Sequence, residues 1–150
     1  MGRLLRLNTK AAVVLYLIVD LLCVGMGMGV PVFCIVFGFA AGWYLARRAV
    51  ADGGVTRTIL RRVLMDAILA SAVTFVLMAA VWGPVVPMAF DSGYDFEHFG
   101  VPMILFDPRA SFVAWLILMI LVSPFLQMLT VVFAGTVTMV TELRDENESE

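Results

Sequence analysis

Four long apolar runs, separated by clusters of charged residues, constrain this chain more than any other feature. The runs cover about residues 11–28, 31–45, 63–82 and 112–138. A transmembrane helix needs about 20 apolar residues. Hydrophobic residues make up 62% of the 150 residues and charged residues only 15%, against about half and about a quarter in soluble domains. We therefore predict an all-α integral membrane protein with four transmembrane helices, and the pattern argues against a soluble enzyme or a nucleic-acid-binding protein.

The turns between the predicted spans follow from glycine and proline. A single helix over residues 11–45 would measure about 52 Å, too long for a hydrocarbon core of about 30 Å, so we expect the chain to fold back at the glycines of residues 25–29 and at Pro31. Gly83-Pro84 is a strong helix stop. Asp107-Pro108 has the pattern of a helix N-cap followed by proline at the first helical position. Residues 83–107 thus form a long outer loop.

The basic residues predict the orientation in the membrane. Three precede the first run, five lie between residues 47 and 62, and none lies between residues 83 and 107. Because basic residues are enriched in cytoplasmic loops, we predict a cell-membrane protein with both termini in the cytoplasm. Residues 1–141 are then the transmembrane domain and residues 142–150 an acidic cytoplasmic tail, which we expect to be disordered. Five arginines are predicted to contact anionic lipid headgroups, namely Arg47, Arg48, Arg57, Arg61 and Arg62.

Asp20 is the most informative single residue, because it lies near the middle of the first predicted span. A charged aspartate at that depth costs about 2.5–3.5 kcal/mol on insertion scales. Two interpretations remain open: a proton or cation site that faces the bundle interior, or a neutral aspartic acid that is hydrogen-bonded to a neighbouring helix. Gln127 and Thr130 would share this site if the last helix passes near the first.

Two pairs of glycines have the spacing that allows helix backbones to approach closely. They are Gly25 with Gly29 and Gly38 with Gly42, and a spacing of four places both members on one helix face. Packing within the chain and contact with a second chain explain the motif equally well.

The outer loop carries acidic residues and the single histidine close together. Asp91, Asp95, Glu97 and His98 offer oxygen and nitrogen ligands that suit several divalent metals. Their spacing matches no specific metal motif, so a hydrated loop tip is the simpler interpretation. We predict no cofactor for this chain.

Three functional hypotheses follow from the sequence. The first is a subunit or homo-oligomeric component of the membrane with a binding or structural role, because we find no catalytic constellation. The second is a transporter of a small solute or ion, with Asp20 as a proton-linked site. The third is a membrane enzyme that uses the cluster from Asp91 to His98 at the outer surface.

Overall fold

The computed structural model describes residues 9–25, 30–53, 56–91, 93–96, 100 and 103–149. Within these ranges the chain is helical and contains no strand, as predicted. The α-helices are α1 (Thr9–Gly25), α2 (Val30–Ala51), α3 (Thr56–Trp82), α4 (Pro108–Ile117) and α5 (Ser123–Ser149). A 3₁₀ helix, Gly83–Phe90, continues α3 into the outer loop, and a π-helical segment, Leu118–Val122, joins α4 to α5.

Three helical stretches of the described chain are long and apolar enough to cross a membrane. They are Val30–Ala51, Thr56–Phe90 and Pro108–Glu142. The helix α1 has 17 residues, which correspond to about 25 Å, slightly less than the hydrocarbon core of about 30 Å. The structure thus supports a helical, membrane-compatible protein, and the fourth span remains a prediction.

The helices α1 and α3 run in one direction, and α2 and α5 run in the opposite one. Tyr16 of α1 stacks on Phe37 of α2, with 5.1 Å between ring centroids, and the Tyr16 hydroxyl lies 3.0 Å from the Ala70 carbonyl oxygen of α3. Arg47 of α2 forms an ion pair with Glu142 of α5 at 2.6 Å, so the C-terminal ends of these two helices lie together. We call this end of the bundle, which carries Arg47 to Arg62, the inner end, and the end that carries the 83–107 loop the outer end.

Apolar side chains fill the two ends of the bundle, and polar ones lie between them. The outer cluster includes Phe112, Trp115 and Met119, and the 3₁₀ helix packs on it through Val85 and Val86. The inner cluster consists of Ala46, Ala49, Ile59, Val63 and Met139. Among the described residues, the buried polar ones are Asp20, Thr74, Ser111, Ser123 and Gln127, and all except Ser111 belong to the layer between the clusters.

The π-helical segment explains how one long helix accommodates a proline. The backbone N–H of Ser123 donates to the Leu118 carbonyl, five residues back, and the Ser123 hydroxyl donates to the same oxygen at 2.8 Å. Widening the turn in this way relieves the clash that a proline ring makes with the preceding turn. The Pro124 carbonyl, in turn, accepts from the Ser71 hydroxyl of α3 at 2.8 Å.

The helix boundaries differ from the predicted spans at several points. The predicted N-cap at Asp107 is confirmed, because its carboxylate accepts from the backbone N–H groups of Arg109 and Ala110. The predicted helix stop is a change of helix type, since the 3₁₀ helix with prolines at 84 and 87 follows Trp82 directly. The helix α5 continues to Ser149, through most of the segment for which we expect disorder. The ion pair between Arg47 and Glu142 holds the start of that segment, and its glutamates, Leu143 and Arg144 have good helix propensity.

Candidate functional site

One face of α1 carries the two polar side chains that bind it to the bundle. Tyr16 and Asp20 are four residues apart and therefore lie above one another on the helix surface. Asp20 is completely buried. The other faces of α1 carry large apolar side chains that are exposed. Among them, Val14, Ile18 and Leu22 are 53–65% exposed. Tyr16 and Asp20 thus add hydrogen bonds to the apolar contact that Val24 of α1 makes with the outer cluster.

A chain of hydrogen bonds connects α5, α1 and α3 and ends at Asp20. The Gln127 side-chain N–H donates to the Tyr16 hydroxyl oxygen at 3.0 Å. The Tyr16 oxygen lies 3.1 Å from the Thr74 hydroxyl, and Thr74 donates to Asp20 Oδ2 at 2.8 Å. Because Thr74 has a single proton, donation to Asp20 leaves its oxygen free to accept from Tyr16. Donation by Tyr16 to Thr74 would direct the chain toward the carboxyl group, and the Tyr16 proton has a second acceptor in the Ala70 carbonyl oxygen at 3.0 Å.

This cluster has more acceptors than donors. Asp20 Oδ1 and Gln127 Oε1 are buried and have no hydrogen-bond partner among the described residues. An unsatisfied buried polar atom costs about 1–3 kcal/mol, and two of them in one cluster are unusual. The hydrogen-bonding neighbours of Asp20 in the cluster are neutral. A proton on the carboxyl group would supply the missing hydrogen-bond donor, and a small cation beside it would bind the unpartnered oxygens.

A cavity of about 470 Å³ reaches this cluster from the inner end of the bundle. It lies between α1, α2 and α3, and we call it the inner groove. Tyr16, Phe37 and Val73 line its deep end, and Arg48, Arg62 and Asp66 lie at its inner rim. Tyr16 is therefore both a wall of the groove and a member of the hydrogen-bonded chain.

Of the other residues proposed for this site, Gln127 joins the chain and Thr130 does not. The Thr130 hydroxyl lies 2.9 Å from the Gln127 carbonyl and 3.1 Å from the Leu126 carbonyl of its own helix. Its side chain faces Gly38, where a Cβ atom would collide with it. Thr130 thus belongs to the contact between α2 and α5.

The glycines differ in what surrounds them. A Cβ atom on Gly42 would collide with the Val131 carbonyl oxygen and lie 2.9 Å from Val131 Cα. Around Gly25, by contrast, no described atom lies within 4 Å of such a Cβ. Gly29 lies outside the described residues. The second glycine pair is therefore in a close helix contact within the chain, whereas no described residue packs against Gly25.

The outer loop forms a cavity of about 350 Å³ that Asp91, Asp95, Asp107 and Arg109 line with two aromatic residues. The Asp91 carboxylate accepts from the Gly93 N–H at 2.9 Å, Asp107 caps α4, and the Arg109 side chain donates to the Ala89 carbonyl at 2.8 Å. Glu97 and His98, the other two predicted metal ligands, lie outside the described residues. The described part of the chain contains no group of three metal-ligating side chains.

The arginines of the inner end take part in different contacts. Arg47 pairs with Glu142 and lies over the Trp43 ring, 5.3 Å from its centroid. Arg48 donates to the Tyr44 hydroxyl at 3.2 Å. Arg62 pairs with Asp52 at 2.8 Å. Arg57 and Arg61 are exposed.

Sequence reasoning misses Tyr16 as a site residue and leaves Thr74 as one of several polar residues within spans. A signal for Tyr16 exists: a hydroxyl-bearing aromatic residue stands one helical turn before an acid in the same apolar run. No such signal exists for Thr74, because only the packing of α1 against α3 selects it.

The fold and the cluster define a small helical, membrane-compatible protein with a buried acidic group in its polar layer. No protein-family model, curated protein or solved structure matches this chain.

Proposed function

We propose that this protein moves a small solute or ion across the cell membrane and that Asp20 is its proton-linked site. The observation that carries the proposal is the buried Asp20 carboxyl group with one unpartnered oxygen at the end of a chain of donors. A carboxyl group that only joins helices would be expected to satisfy both oxygens. Ionisable residues within membrane spans are costly and mark ion and proton paths.

The inner groove supplies the route by which the carboxyl group exchanges protons. Tyr16 faces the groove and lies 3.1 Å from Thr74, which lies 2.8 Å from Asp20. A proton that enters at the rim would reach the carboxyl group through two hydroxyls. On the other side, the aromatic cluster around Phe112, Trp115 and Trp82 separates Asp20 from the outer end. Asp20 can therefore become accessible from the outer side only if this aromatic cluster rearranges.

The proposed topology has four spans, with both termini on the cytoplasmic side. Three points support it: the excess of arginine at the inner end, the alternating helix directions, and the contact of α1 with both α2 and α3. The inner groove then opens toward the cytoplasm, and the 3₁₀ helix Gly83–Phe90 covers the outer end.

Asp20→Asn tests the proton-linked site. The variant should fold and elute like the wild type, because asparagine retains an acceptor for Thr74 and adds donors to a cluster that lacks them. In vesicles that contain a trapped pH-sensitive dye, an imposed membrane potential should drive proton entry with the wild-type protein. With Asp20→Asn, entry should fall to the rate of protein-free vesicles.

Asp52→Asn is the matched control, since it neutralises an exposed aspartate at the inner rim of the bundle without touching the polar layer. It should conduct protons like the wild type. Equal proton entry with wild type and Asp20→Asn, or none with the wild type, would contradict the proposed function.

A second candidate function, a subunit of a larger membrane assembly, is favoured by the exposed Gly25, because no described atom lies within 4 Å of a Cβ added there. A small residue on an exposed helix face allows a second helix to approach. We expect the native mass in mild detergent to exceed that of one chain, and Gly25→Leu to reduce it to a single chain while Gly83→Leu, also in open space, leaves it unchanged. A single chain in the wild type would remove this candidate.

A further inference from the structure

We propose that the inner groove is a binding site for one phospholipid, with an acyl chain between α1, α2 and α3 and the phosphate at Arg48 and Arg62. A bound acyl chain would occupy the route by which the proposed function brings protons to Tyr16, so lipid binding and proton entry would exclude one another at any one time. The lipid site itself would exist whether or not the protein transports anything. Its evidence is the shape of the groove, the chemistry of its walls and the charges at its rim.

The walls of the groove accept only an apolar occupant. Small side chains create the space, among them Ala12, Ala40, Ala41 and Ala70. The polar group in the depth, the Tyr16 hydroxyl, already contacts Gln127, Thr74 and the Ala70 carbonyl. A polar solute in the groove would therefore lose its hydration without gaining partners.

The depth of the groove matches an acyl chain. Its α3 wall runs from Arg62 to Val73, which is about 16 Å along a helix and close to half of a hydrocarbon core of about 30 Å. The charged rim would lie at the headgroup level, and the deep end near the bilayer centre. The acyl chain of a phospholipid in one leaflet spans this distance.

The rim provides charge complementarity for a phosphate. Arg48 and Arg62 line it from α2 and α3, with the Tyr44 hydroxyl beside Arg48. Guanidinium groups suit phosphate because they offer two parallel donors. Two acids are also near: Asp66 lines the rim, and Asp52 pairs with Arg62 in an exposed contact. A phosphate would compete with Asp52 for Arg62, and exposed ion pairs of this kind are weak.

Native mass spectrometry tests the site with the full chain and added phosphatidylglycerol. The wild type should retain one lipid per chain. The double variant Arg48→Gln/Arg62→Gln should bind the lipid at least about tenfold more weakly, because each basic residue near a headgroup strengthens lipid binding appreciably. Arg57→Gln/Arg61→Gln is the matched control: it removes two exposed arginines of the same end that do not line the groove, and it should bind like the wild type.

Two further measurements distinguish binding of the whole lipid from binding of a phosphate group alone. Inorganic phosphate should not displace the lipid, because the acyl chain supplies most of the binding. Ala41→Phe, which fills the groove, should abolish retention of the lipid. The arginine variants keep the test valid if Ala41→Phe fails to fold. Equal retention by both arginine pairs, displacement by inorganic phosphate, or no retained lipid in the wild type would overturn the proposal.

Discussion

Gly42→Ala is expected to separate α2 from α5 and to destabilise the bundle by about 3 kcal/mol or more, at the upper end of what overpacking costs. The new Cβ atom would collide with the Val131 carbonyl oxygen and approach Val131 Cα to 2.9 Å and Ala134 Cβ to 3.0 Å. Two of these three atoms belong to the backbone of α5, so no side-chain rotation relieves the contact. The helices themselves must move apart.

The same geometry predicts a graded series among the glycines. Alanine at Gly38 meets the Thr130 side chain first, although the Gln127 carbonyl oxygen lies 2.8 Å away. At Gly135 the nearest atom is a methyl group of Val63 at 2.7 Å, which another rotamer can withdraw. The loss of stability should therefore be largest for Gly42, intermediate for Gly38 and smallest for Gly135.

Unfolding in mixed micelles, followed by tryptophan fluorescence, measures this series. Gly83→Ala is the control, because no described atom lies within 4 Å of its added Cβ. We expect Gly83→Ala to unfold like the wild type. If Gly42→Ala did the same, the close approach of α2 and α5 would be incorrect.

Much of the fold could be predicted from the sequence because apolar run length and charge position act locally. The helical class and the cap at Asp107 follow from a few neighbouring residues, whereas the stop predicted at Gly83-Pro84 is a change from α-helix to 3₁₀ helix. The π-helical segment could not be predicted in the same way. A proline in a long helix demands some relief, but a kink, a missing hydrogen bond and a widened turn are all possible from the sequence.

The candidate site could be predicted only in part, because it depends on contacts between distant residues. Asp20 stands out alone, since an acid in an apolar run is conspicuous. Its hydrogen-bonding partners are distant in sequence: Thr74 is 54 residues from Asp20, and Gln127 is 111 residues from Tyr16. Which polar residue of α3 or α5 faces α1 depends on helix rotation, and in these nearly uniformly apolar helices the hydrophobic pattern fixes rotation weakly.

Thr74→Val is expected to be costly in the wild-type background and nearly neutral once Asp20 is replaced by leucine. The substitution keeps the shape of the side chain and removes the donor to Asp20 Oδ2, whose hydrogen bond is 2.8 Å long. Since Asp20 Oδ1 lacks a partner, the carboxyl group would lose its hydrogen bond to Thr74 and keep the Gln127 amide as its remaining polar neighbour. We expect a loss of about 2–3 kcal/mol, the penalty for a buried polar group without partners. In the Asp20→Leu background that penalty no longer exists.

The coupling between the two substitutions distinguishes a dry polar layer from a hydrated one. Hydrogen bonds between membrane helices contribute only about 0.6 kcal/mol on average, because alternative partners exist in the unfolded state. A coupling near 2 kcal/mol in a double-mutant cycle would mean that Thr74 is the main partner of a carboxyl group shielded from water. A coupling near the average would mean that water reaches Asp20 and replaces the hydroxyl.

Thr136→Val provides the reference for the loss of a threonine hydroxyl in a membrane helix. This hydroxyl donates to the Val132 carbonyl of its own helix at 2.8 Å, so its removal leaves no buried charge or carboxyl group unpaired. It should cost less than 1 kcal/mol, within the range for a single net hydrogen bond. If Thr74→Val cost as little as this, the carboxyl group of Asp20 would not be shielded from water. That outcome would contradict the proposed proton site, which requires Asp20 to exchange protons through Thr74 and Tyr16 rather than directly with water.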